Sequence, residues 1–157
     1  MKINVNFLSQ NELWQQRIKE AAAVAEEVMS SRSFVDQVTS WEGFDNTTKN
    51  PQQIANDIRS ANVTINVGFY VKHWTKAIAY EENGAVYFNR AKLNYGAGSP
   101  GNVAHEVMHA LGYEHVGNKR VGNENTVPYR IGDWVDGHES AAYEDAAEAK
   151  AGTDTMT

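Results

Sequence analysis

Three of the chain's five histidines fall within one run, HEVMHALGYEH, from His105 to His115. His105 and His109 are four apart, the spacing that stacks two side chains on one helix face and aims both imidazoles at one point. His115 follows six residues later, and unbroken helix would carry it roughly 9 Å along the axis and about 240° around it. Gly112 stands in between, where a left-handed residue ends a helix without steric cost and turns the chain back beneath the pair. Three neutral imidazoles gathered in this way suit one Zn²⁺ and leave one tetrahedral position open for water, the pattern of a catalytic zinc site. Glu106 is the residue type that takes the proton of such a water while the metal polarises a scissile carbonyl, and later protonates the leaving amine.

The elements that must hold this run alternate along the chain. Lys2 to Leu8 places Ile3, Val5 and Phe7 at every second position, a half-buried strand. Ser9 and Glu12 have capping-box spacing, and Trp14, Ile18, Ala21, Ala25, Val28 and Met29 recur at helical intervals behind them. Ser33 to Trp41 reads as a second short helix, with a strand left open by its Val and Thr content. Asn50-Pro51 opens a third helix through Ile54, Ala55, Ile58 and Ala61. Val63 to Val71, Lys76 to Glu81 and Ala85 to Asn89 read as strands, the last two joined by Glu82-Asn83-Gly84. A Gly-rich loop, Asn94 to Gly98, precedes Ser99 and Pro100, the cap and first residue of the histidine helix. Val116 to Thr126 is polar loop, VPYRIGDWV follows, and an Ala/Glu-rich helix is expected over 139–150 with a frayed tail over 151–157.

Composition bounds the function. At 157 residues and 41% hydrophobic, the chain suits a single domain over 1–150. A net charge of −6, with no Lys/Arg run longer than Lys119-Arg120, argues against nucleic acid as a partner. The absence of cysteine excludes disulfides, thiolate ligands and a cysteine nucleophile, and leaves the redox compartment open. MKINVNFLSQ lacks the apolar core of a signal peptide and no stretch reaches membrane-spanning length. The expectation is a soluble monomer without a membrane partner, its compartment unknown, with cytoplasmic and phage-encoded settings both open.

His105, Glu106, His109, Gly112 and His115 together match the signature H-E-x-x-H-x-x-G-x-x-H, and in this the chain resembles the metzincin zinc endopeptidases. The strict motif is confined to residues 105–115, while the order of elements is similar over Met1 to Trp134. The resemblance implies an α+β zincin-like domain, with a mixed twisted sheet, backing helices and an active-site helix carrying the motif. It implies zinc on His105, His109 and His115, Glu106 as general base, and a protein or peptide substrate lying antiparallel to an edge strand, here 76–81. Metzincins carry a methionine turn beneath the metal, whereas the only methionine downstream here is Met156. Val127-Pro128-Tyr129-Arg130-Ile131-Gly132 occupies that place and reads as a substitute floor, with Tyr129 a candidate second donor to the oxyanion.

The remaining residues read plainly. His73 and His138 lack a partner at ligand spacing and are packed or surface histidines. Glu81-Glu82 reads as a solvated pair, Asp45-Asn46 lacks a calcium-loop pattern, and Trp14, Trp41, Trp74 and Trp134 read as core or rim packing. The expected activity is zinc-dependent hydrolysis of peptide bonds. A catalytically silent zinc-binding structural or assembly protein, and a zinc amidase for a non-protein amide, are the alternatives; a purely structural site needs no Glu106 and fills its fourth position with a protein ligand.

Overall fold

Strand β1 (Lys2–Phe7) lies parallel to β2 (Asn62–Tyr70), with Ile3 opposite Val63 and Phe7 opposite Val67. Parallel neighbours require a long crossover. Three helices supply it: α1 (Glu12–Ser30), α2 (Arg32–Thr39) and α3 (Pro51–Ser60). β2 also pairs in parallel with β4 (Ala85–Asn89), and β3 (Ala79–Glu82) folds back antiparallel on β4, giving the order β1-β2-β4-β3. The computed structural model describes residues 1–138 as one mixed α+β domain; the helix expected over 139–150 and the tail lie outside the described residues.

The alternation expected of β1 sends Ile3, Val5 and Phe7 against the core, where Ile65, Val67, Val86 and Phe88 of the neighbouring strands meet Ile18, Ala25 and Met29 of α1. The opposite sheet face is polar near β1, where Asn4 donates to Asn62 Oδ1 and Asn6 to Asn66 Oδ1, each at 3.0 Å. Among the described residues, no helix is long and apolar enough to cross a membrane.

Several local readings shift. The cap of α1 is Asn11, whose side chain accepts from Trp14 N at 3.0 Å, rather than Ser9. The Ser9 hydroxyl instead accepts from Phe69 N at 3.2 Å, because Leu8 N still pairs with Val67 O and keeps the chain on the sheet. Residues 32–39 are helical, with Phe34 and Val38 fully buried and Ser31 as the cap, so the strand alternative is set aside. β3 begins at Ala79 rather than Lys76. Fully buried Asn89 accounts for this, accepting from Lys72 N at 3.1 Å and donating to Lys72 O at 2.8 Å and Ala77 O at 3.2 Å, which holds the preceding chain as a loop. Arg90–Tyr95 is 3₁₀-helical up to the left-handed Gly96, where a plain Gly-rich loop was expected at 94–98.

The largest shift concerns VPYRIG. It is helical, the start of α5 over residues 127–138, entered through Thr126, whose hydroxyl donates to Asn123 O at 2.6 Å. α5 crosses the N-terminus of α4 (Pro100–Ala110) at close range. A Cβ on Gly101 would sit 2.3 Å from Gly132 O, and a Cβ on Gly132 would sit 2.8 Å from Gly101 O. Asp136 uses this proximity, accepting from Gly101 N at 2.7 Å and from the Ser99 hydroxyl at 3.2 Å, so a carboxylate from α5 caps the helix that bears the histidines. Gly101→Ala and Gly132→Ala should each cost about 1–3 kcal/mol through forced separation of the two helices. Urea unfolding measures this, and wild-type stability in both variants would contradict the close approach.

Candidate metal centre

α4 presents His105 and His109 one turn apart and ends where the sequence places Gly112. Gly112 has φ +98°, its N–H donates to His109 O at 2.9 Å, and Tyr113 N donates to Met108 O at 3.0 Å. This pair of bonds is a Schellman ending, which satisfies two terminal carbonyls while reversing the chain. The reversed segment is then tied down. The Tyr113 hydroxyl donates to Asp57 Oδ2 of α3 at 2.5 Å, Lys49 Nζ meets the same oxygen at 2.6 Å, and Asn46 donates to Glu114 O at 3.0 Å. Burial first, then Asp57, pushes the Tyr113 hydroxyl up beyond the usual phenol range, so it stays a donor. Past His115, buried Asn123 accepts from Val116 N at 2.9 Å and donates to Val116 O and Lys119 O at 2.7 Å each.

The result brings the three histidines to one point. His109 Nε2 lies 3.2 Å from His105 Nε2 and 3.1 Å from His115 Nε2. Nitrogens about 2.0–2.1 Å from a tetrahedral zinc would stand only slightly farther apart than this. The opposite ring nitrogens determine which lone pairs converge. His115 Nδ1 is 2.8 Å from Gly117 O and His105 is held by the Pro128 backbone, so each imidazole gives its proton to a carbonyl and turns an unprotonated Nε2 inward. Glu114 Oε2 stands 3.3 Å from His109 Nδ1, near enough for attraction but out of line for a hydrogen bond, and that buried nitrogen has no other partner among the described residues. His105 and His115 thus turn lone pairs toward His109 Nε2, 3.2 and 3.1 Å away, where a single imidazole proton serves only one of them, whereas a divalent cation with an affinity for imidazole satisfies all three. The residues present therefore fit a metal ion.

Beneath the histidines lies Tyr129, in the first turn of α5, its ring centroid 4.6 Å from that of His105 and 4.9 Å from that of His115. The VPYRIG stretch thus packs against two of the histidines, and does so through a helical turn. Arg120 lies over the outer part of this ring at 5.6 Å from its centroid and pairs with Asp133.

Glu106 is nine-tenths buried and lines a cleft with Glu81, Glu114, His109, Thr64 and Asn66. Burial first, then the adjoining Glu81 carboxyl, then Glu114, raise Glu106 well above the usual carboxylate range. Glu81 and Glu82 are both exposed, as a solvated pair should be, but Glu81 also reaches the cleft. Alternation along β3 sends Glu81 to the side of α4, its Oε1 3.9 Å from His109 Nε2, and Glu82 to the other face. That period-two signal was available in the sequence. Asn123, Glu114 and the Tyr113–Asp57 bond had no such signal, because each depends on where a distant segment lies.

His73 and His138 stand apart from the three. His73 is exposed, and His138 Nε2 is 2.8 Å from Gln37 Oε1 with its ring edge-on to Phe34. Asp45 and Asn46 brace the site, Asp45 Oδ1 accepting from Asn125 at 3.1 Å. Comparison with family models, with curated proteins and with solved structures finds no match for this chain.

Two outcomes follow from this geometry. Gly112→Val should weaken metal binding without removing a ligand, since a β-branched residue resists φ near +98°; unchanged affinity by competitive chelator titration would contradict the turn's role. Burial, followed by the neighbouring charges of His109, His115 and Arg120, lowers His105 from 6.5 to about 3. Below pH 6.5 the unfolded chain takes up a proton that folded His105 refuses, so metal-free protein should lose stability as pH falls from 6.5 toward 3. Urea unfolding of the chelator-stripped protein between pH 7 and 5 tests the upper part of that window, and His105→Asn should flatten it.

Proposed function

We propose that the chain is a zincin-like, zinc-dependent endopeptidase that hydrolyses peptide bonds in proteins or peptides. The observation that carries the reading is the approach of His105 Nε2 and His115 Nε2 to within 3.2 and 3.1 Å of His109 Nε2, beside a buried carboxyl that lines an open cleft. Zinc on His105, His109 and His115 would supply Lewis-acid polarisation of a carbonyl and a water acidic enough to ionise near neutral pH. Glu106 accepts the proton of the attacking water on its carboxylate and returns it to the leaving amine. Burial and the neighbouring Glu81 and Glu114 carboxyls raise its proton affinity, the direction that suits a group returning a proton to the leaving amine. Tyr129 supports His105 and His115 from below, and its hydroxyl, which has no hydrogen bond among the described residues, is the second donor for the oxyanion. The substrate lies along β3, an edge strand with backbone groups facing away from β4.

A silent zinc module and a zinc amidase are separated from this reading by one set of measurements. Purified chain reconstituted with zinc should hold one ion per chain and cleave members of an unbiased peptide library. Glu106→Gln keeps the side chain's size but not its proton acceptor, so zinc content and fold should persist while hydrolysis falls by about 10²- to 10⁴-fold. A folded, zinc-loaded wild type that cleaves no peptide overturns the endopeptidase reading, and unchanged zinc affinity on replacing any one of these three histidines overturns the ligand assignment.

A further inference from the structure

The loop between β2 and β3 and the 3₁₀ segment after β4 form one surface. Asn89 binds the backbone of Lys72 and Ala77, and Lys92 Nζ donates to His73 O at 3.1 Å while lying 5.4 Å from the centre of the Tyr95 ring. Residues 71–78 and 89–97 carry Lys72, Lys76, Arg90 and Lys92 and no Asp or Glu, in a chain whose net charge is −6. Among the described residues, no ion pair engages any of these four cations. Apolar groups are exposed among them: Trp74 at 96%, Tyr95 at 75%, Leu93 at 49% and Val71 at 48%. Trp74 thus departs from the packing expected of it. A tryptophan held in water beside unpaired cations marks a surface that gains by being covered.

We propose that this surface docks an acidic polypeptide segment bearing aromatic or leucine side chains. Charge complementarity requires acid in the partner, and the exposed indole and tyrosine suit apolar side chains interleaved with it. Position favours a polypeptide over other polyanions. The surface ends where β3 begins at Ala79, and the far end of β3 carries Glu81 and Glu82, with Glu106 and Glu114 in the cleft below. A nucleic acid or an anionic bilayer extending past four cations would meet these carboxylates, whereas a short acidic segment ends before them. Resting on the peptidase reading, the segment belongs to the substrate protein whose scissile stretch enters along β3, so the surface selects substrates by a feature outside the cleaved bond.

The test uses the full chain carrying Glu106→Gln, so that binding is read without cleavage. A fluorescein-labelled peptide repeating Glu-Glu-Leu-Tyr should bind by anisotropy, and the same peptide with Gln for Glu should bind much more weakly. Trp74→Ala and the pair Lys72→Gln with Lys76→Gln should each weaken binding by roughly tenfold. The pair Arg32→Gln with Arg59→Gln, an equal charge change at exposed sites on α2 and α3, should leave binding intact. Equal binding of the Glu and Gln peptides, or no effect of the Trp74 and lysine substitutions, overturns the proposal. So does binding to phosphatidylserine vesicles or poly(dT) that depends on Trp74 when the peptide fails to bind. Failure of the wild-type chain to hydrolyse peptides would remove the peptidase reading while leaving this binding result standing, so the two failures are distinguishable.

Discussion

The lone pairs of His105 and His115 converge on His109 Nε2 at 3.2 and 3.1 Å, where a single imidazole proton serves only one of them, and much of the surrounding structure serves to impose that arrangement. Asp136 fixes the start of α4, the glycines at 101 and 132 let α5 come close enough to supply it, and the Schellman ending at Gly112 reverses the chain. Tyr113, Asn46 and Asn123 then hold the reversed segment from three directions. Most of these are polar contacts between segments distant in sequence. Such contacts contribute modestly to stability but tolerate little displacement, which is the property a ligand set needs.

The charge around the site is unevenly spread. Glu81, Glu106 and Glu114 share the cleft, while Lys72, Lys76, Arg90 and Lys92 gather beyond the other end of β3. Carboxylates crowded without cationic partners raise the proton affinity of the most buried member, and Glu106 is that member. The same crowding attracts a divalent cation and disfavours polyanions near the centre. One short edge strand therefore runs between surfaces of opposite sign, a gradient that orients any charged chain lying along it.

Much of the site was legible because it is local. The spacing of His105 and His109, the helix-ending glycine and the Ser99-Pro100 start are each set within a few residues by helix geometry, and the structure has them as expected. The strand alternation of β1 and the helix through Pro51 were legible for the same reason. The misreadings occurred where a distant partner competed for a group. Ser9 was taken by β2 instead of capping α1, and Asn89, bonded to the backbone of Lys72 and Ala77, held residues 76–78 out of β3. Helical VPYRIG was unforeseen because the sequence motif marked only the place of a floor, whereas its shape depended on docking α5 against α4.

By itself the sequence determined the donor types, their presentation by a helix that must end at Gly112, and an α+β order of elements, since these follow from side-chain chemistry and short-range backbone periodicity. Only the tertiary structure decided that Tyr129 lies beneath the histidines, that Glu81 faces Glu106, and that Lys72, Lys76, Arg90 and Lys92 share one surface with Trp74. A run of like charges is visible in a sequence, but a cluster drawn from two segments separated by a hairpin is not. Its existence depends on chain reversal and on the buried amide of Asn89 that holds the loop beside the end of β4.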